Sequence, residues 1–131
     1  MTDLGAYLQT AISRPWKWGK WDCCRFAAEW CVRRGCGDPM SFLKPLYTSE
    51  FQALRIIREG GGLTALWSRG MADIGAQEVD EPALGDVGIV QSVTERGTEE
   101  VCAIFTGKRW AMLGIHGLIC APAEPIKVWR P

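Results

Sequence analysis

The sequence predicts an α+β domain, and three observations carry that reading. Apolar residues recur at helical spacing through the first half of the chain. From Val87 onward they switch to short strand-like runs. Those runs are joined by glycine-bearing turns, with no helical pattern between them. Helices followed by an antiparallel meander is the α+β order. At 131 residues the chain reads as a single domain over 1–131, long enough to bury a core without staples.

In order, Thr2 is placed to cap a first helix over Asp3–Ser13, with Leu4, Tyr7, Leu8, Ala11 and Ile12 on one face and Pro15 stopping it. The stretch Trp16-Lys-Trp-Gly-Lys-Trp-Asp-Cys-Cys-Arg-Phe-Ala-Ala-Glu-Trp30 follows, and the rest of the chain is organised around it. Asp22 suits the N-cap or first turn of a helix reaching Arg34. Arg25, Glu29 and Arg33 form a charged stripe, while Phe26, Ala27, Trp30 and Cys31 give a wide apolar arc, so this helix should be mostly buried. Gly35 ends it, and residues 35–48 read as loop. Ser49 and Gln52 resemble a capping box opening a helix to Arg58, with Phe51, Leu54 and Ile57 toward the core. After Gly60-Gly61-Gly62 a short helix over Leu63–Arg69 is expected, and residues 72–84 carry little signal. Val87–Val90 is a strand. A turn over 94–98 uses Gly97. Val101–Thr106, apolar on both faces, should be a central strand. Gly107-Lys108 turns into Arg109–Met112, and Leu118–Cys120 and Ile126–Trp129 complete the sheet.

Composition narrows the function classes. Apolar residues make up 47% and charged residues 23%, with a formal net charge of zero, so nothing electrostatic points to nucleic acid or an anionic membrane. No apolar run is long enough to span a membrane. The first residues lack the basic and apolar regions of a signal peptide, so cytoplasmic synthesis is expected and the six cysteines should be thiols. Cys23 and Cys24 fall in the first turn of the central helix, where free N–H groups and the helix dipole favour a thiolate. Each lies at an edge of the apolar arc, so helical phase does not choose between them, and buried cysteine also serves as a small hydrophobe. The one histidine, His116, lies between Gly114 and Gly117; it is a candidate base for a cysteine nucleophile or a surface turn residue. Cys24, Cys31, Cys36 and His116 could be drawn as a metal set, but their spacings are not those of zinc sites. No phosphate loop, HExxH motif or paired carboxylates call for a cofactor or metal.

The run Trp18-Gly19-Lys20-Trp21-Asp22-Cys23-Cys24-Arg25-Phe26 resembles the nucleophile motif of NlpC-type, papain-like cysteine peptidases. Gly85-Asp86-Val87 resembles the start of that fold's sheet, and Val101–Gly107 its next strand, ending in glycine. Nearer still is a resemblance to a small phage and prophage family related to that fold. It is carried by the Asp-Cys-Cys start, Gly37-Asp38-Pro39, Gly61-Gly62-Leu63 and Val128-Trp129. Members of that family tend to lie among tail genes.

The resemblance implies a papain-like α+β fold with a central N-terminal helix on an antiparallel sheet. It makes Cys23, following Asp22, the nucleophile, and gives Trp16, Trp18 and Trp21 the lining of the cleft. In active relatives the base histidine opens the strand that ends in glycine. Here that place falls on Val101, or on Glu100 with a slip of one, and the third polar position falls on Met112 or Leu113. The implied function is a catalytically degenerate, tail-associated protein acting in assembly or binding, with phage tail proteins as partners and the virion tail as a compatible destination. The alternative is an active cysteine peptidase or amidase on peptidoglycan peptides, using Cys23 with His116 as an unusually placed base.

Overall fold

The computed structural model describes residues 3–43, 46–94 and 97–131; Thr2, expected as a cap, and positions 95 and 96 of the expected turn lie outside them. Among the described residues, four helices precede a sheet: α1 (Asp3–Ser13), α2 (Cys23–Arg33), α3 (Glu50–Glu59) and α4 (Leu63–Asp73). The strands are β1 (Gln77–Val79), β2 (Val87–Thr94), β3 (Gly97–Phe105), β4 (Trp110–Gly114), β5 (Gly117–Ala121) and β6 (Glu124–Arg130). They form one antiparallel sheet in the order β1-β6-β2-β3-β4-β5. The fold is therefore α+β, with β3 interior to the sheet as its two apolar faces require.

Helix α2 lies on β3 and β4, and α1 packs on β5. Strand alternation divides the sheet's apolar residues between its two faces. Val87, Ile89, Cys102, Ile104, Ala111 and Leu113 meet the helices in the main core. Val90, Ala103, Trp110, Met112 and Val128 form a smaller cluster on the other face. Trp30 joins α2 to the sheet's first turn: it is 1% exposed and its indole N–H donates to the Gly85 carbonyl at 2.8 Å. Asp86, buried beside it, accepts from Ala83 N and from the Arg130 guanidinium at 2.8–3.0 Å, which ties the last strand to the first long one.

Three expectations are corrected. Phe51 and Leu54 do not face the core: they are 74% and 51% exposed, and Ala53 is the buried residue of α3. The helix packs chiefly on α4 alone, so much of its apolar arc is left uncovered. The last short helix continues past Arg69 to Asp73. Gly70, inside the extension, is a packing residue: a Cβ there would lie 1.9 Å from the Pro39 carbonyl oxygen. Gln52 does accept a helix-start N–H, but that of Thr48 (2.8 Å) rather than Ser49, while Ser49 Oγ accepts from Gln52 N as a cap should. Among the described residues no helix is long and apolar enough to cross a membrane.

Candidate functional site

The site starts from one carboxylate. Asp22 is the N-cap of α2, and its oxygens accept from Arg25 N (2.9 Å), Gly19 N (2.9 Å) and the Tyr47 hydroxyl (2.6 Å). It is 1% exposed; burial raises its pKa, against the pull of these three donors. The helix start, the preceding turn and the 35–48 loop are thereby tied to one residue. Lys17 and Trp21 pair across the turn, with N–H···O bonds of 2.9 and 2.8 Å. Gly19 sits at φ +80° with its α-carbon so close to the loop that a Cβ would lie 1.9 Å from the Tyr47 carbonyl oxygen. Only glycine satisfies both the dihedral and the contact.

That turn divides the tryptophans. Trp16 and Trp18 meet edge to face at 4.9 Å and line the cleft, as expected. Trp21 does not. It is 2% exposed, edge-on to Tyr7 and Phe26 with the Arg14 guanidinium 4.0 Å over its ring. Preceding the buried N-cap directly, it is drawn inward with Asp22, so its role is in the core.

Cys23 is the first residue of α2, half-buried in a cleft of about 720 Å³ whose walls include Trp16, Trp18, Phe42, Leu54, Leu66 and His116. Its sulfur meets the thiols and the backbone of both Cys102 and Cys24. The Cys24 N–H is free because it belongs to the first helical turn. The Cys102 N–H is free because the sheet parts beside it. Phe105 N bonds to Asp86 O on the β2 side, so by alternation Ile104 and Cys102 turn their N–H groups toward β4. Strand β4 pairs with β3 at Ile104 and Phe105, then continues with β5. The gap this leaves is where Cys23 sits.

The electrostatics follow from those donors. The Cys102 thiol, then that of Cys24, and their backbone groups hold the Cys23 thiol well below the ordinary range against burial. Burial, and then its thiol contacts with Cys23 and Cys24, push Cys102 well above that range. Cys24 receives a bond from Cys102 (Sγ to Sγ, 3.5 Å), which pulls it down, but its own bond to Cys23, its burial and the nearby negative charge leave it well above. The arrangement is one accessible thiol with a lowered pKa beside two buried thiols with raised ones. Sequence reasoning missed Cys102; a cysteine on the helix-facing side of a central strand was the signal.

The remaining candidates are placed as follows. His116 is exposed in the two-residue turn between β4 and β5 and borders the same cleft, but among the described residues it forms no hydrogen bond or ion pair. Val101 also borders the cleft while packing on the sheet's second cluster, so the strand residue that meets Cys23 is Cys102. The Glu100 carboxylate is engaged by Thr64 N (3.3 Å) and Oγ1 (2.8 Å), supplying the acceptor that Gly62 cannot at the start of α4. Met112 and Leu113 are buried. Among the described residues no group of three or more His, Cys, Asp or Glu is placed to hold a metal ion.

Fold and site define an α+β protein with a thiol at the mouth of its central helix. The chain belongs to the family described as a domain of unknown function (DUF6950), whose model matches residues 1–130. No curated protein and no solved structure matches it.

Proposed function

We propose that this chain is a papain-like domain of the NlpC type, associated with phage or prophage tails, whose cleft binds a partner rather than cleaving it. The observation that carries the reading is the company of Cys23: its neighbours are the thiols of Cys102 and Cys24, and among the described residues no imidazole is bonded to it. Peptide hydrolysis needs a group that takes the thiol's proton and returns it to the leaving amine. Two buried thiols pushed above their ordinary range are poor at both tasks. The walls are largely apolar, which suits burial of apolar side chains from a tail protein. Association with tails is supported by the resemblance of the Asp22-Cys23-Cys24 start and Gly37-Asp38-Pro39 to the phage family.

The test is an infectivity and tail-assembly assay with two folded variants. Cys23→Ser should leave assembly intact. Leu54→Arg, on the exposed wall of the cleft, should abolish it. Loss of assembly in Cys23→Ser with unchanged folding would overturn the reading.

A second reading rests on the depressed Cys23 thiol and on His116 bordering the same cleft. In it the protein is a cysteine peptidase or amidase acting on peptidoglycan peptides, with the β4–β5 turn carrying His116 onto Cys23 when substrate binds. Turnover of such peptides by the wild type, lost in both Cys23→Ser and His116→Ala, distinguishes it from the first.

A further inference from the structure

The three-thiol cluster suits a chemistry that needs no imidazole. We infer that Cys23 and Cys102 form a site of reversible oxidation by hydroperoxides, Cys23 being the thiol attacked and Cys102 the thiol that closes the disulfide. The division of labour follows from position. Cys23 and Cys24 both border the cleft, but Cys23 is the more exposed of the two: Cys24 is 8% exposed, and Cys102 is fully buried and does not line it. Cys23 is also the sulfur that receives N–H donors, from the helix start and from the parted sheet.

In the first step the Cys23 thiolate attacks the outer oxygen of the hydroperoxide. An S–O bond forms and the O–O bond breaks. The sulfur gives up two electrons, and the released alkoxide or hydroxide takes a proton from water. The product is a Cys23 sulfenic acid. Unlike amide cleavage, this step has a leaving group that needs no strong acid beside it, so the absence of a bonded base does not prevent it.

In the second step the Cys102 sulfur attacks the Cys23 sulfur. An S–S bond forms, the S–O bond breaks, and the hydroxyl leaves with the Cys102 proton as water. Cys24 cannot take this part, because neighbouring residues in a helical turn point their Cβ atoms apart. It can hold Cys102 in place, since their sulfurs are 3.5 Å apart. A small dithiol reverses the reaction by exchange. The disulfide would fasten the start of α2 to β3 across the gap in the sheet and remove the thiolate from the cleft.

The exposed Cys120 on β5 is a built-in reference. The reduced protein is treated with hydrogen peroxide, alkylated at intervals and peptide-mapped. Cys23 should be consumed at least about tenfold faster than Cys120, as a stabilised thiolate requires. The product should be a Cys23–Cys102 disulfide that dithiothreitol restores to thiols. In Cys102→Ala the sulfenic acid should persist, be captured by a cyclic 1,3-dione and pass to sulfinic acid with excess peroxide. Oxidation of Cys23 no faster than Cys120, sulfinic acid without disulfide in the wild type, or a disulfide that excludes Cys23 would each overturn the assignment. All three are read on the unmodified chain, so they decide the matter even where Cys102→Ala does not fold.

Discussion

Trp30 is the residue on which the junction of helix and sheet depends most, and its removal can be worked through. The side chain is 1% exposed, stacks at a tilt on Tyr7 with centroids 5.3 Å apart, and donates to the Gly85 carbonyl at 2.8 Å. Trp30→Ala removes the ring and leaves a cavity, which costs about 3–5 kcal/mol by comparison with other large-to-small core changes. It also strands the Gly85 carbonyl, at about 1–3 kcal/mol for an unsatisfied buried acceptor. The two costs overlap where water enters the cavity, so the expected loss is about 4–6 kcal/mol, a large part of the roughly 5–15 kcal/mol that holds a domain together. Trp30→Phe separates them: it keeps most of the apolar contact and loses the hydrogen bond, so about 1–3 kcal/mol should go. Urea unfolding at matched slope gives both numbers. A loss below about 1 kcal/mol for the alanine variant would refute the claim that this contact locks α2 to the sheet.

Other outcomes follow from the site. Gly19→Ala should destabilise strongly, because its Cβ would meet the Tyr47 carbonyl at 1.9 Å in a φ +80° backbone, and thermal melts should show it more affected than Gly5→Ala, which meets nothing. Alkylation of Cys23 should stay fast as pH falls well below the ordinary thiol range, with the rate dropping only when the lowered native value is crossed; a rate profile centred on the ordinary range would contradict the donor geometry. Asp22 has the opposite sign. Its native pKa is raised, so the folded chain holds that proton more tightly, and the stability this gives at low pH is lost as pH rises through the raised value. Asp22→Asn should remove that part of the pH dependence of urea stability while costing about 1–3 kcal/mol at neutral pH, since an amide cannot accept all three donors.

Much of this was legible because it is local. The Asp22 cap, the ends of α1 and α2, the glycine turns and the two-faced apolar strand each depend on residues a few positions apart, and they stand where the pattern puts them. What was not legible depends on partners remote in sequence. The helix expected to end at Arg69 runs on to Asp73, and Gly70 within it is set by the Pro39 carbonyl beside it. Phe51 and Leu54 have the spacing of a core face, yet α3 has too little covering it to bury them. Trp16, Trp18 and Trp21 are alike on paper; the reversal at Gly19 turns two to the cleft and one to the core.

The same distinction explains the site. A cysteine at a helix mouth is readable from Asp22 and the turn before it, but what that cysteine does depends on what the sheet brings opposite. That in turn depends on β4 leaving β3 after two pairs, which frees the Cys102 N–H and thiol at one place. Had β4 stayed in register for two more residues, its own backbone would have taken that N–H and Cys23 would have met an ordinary sheet face. The parting of two strands therefore sets the Cys102 thiol and N–H against Cys23 and lowers its pKa, whereas desolvation pushes the buried Cys31 in the opposite direction.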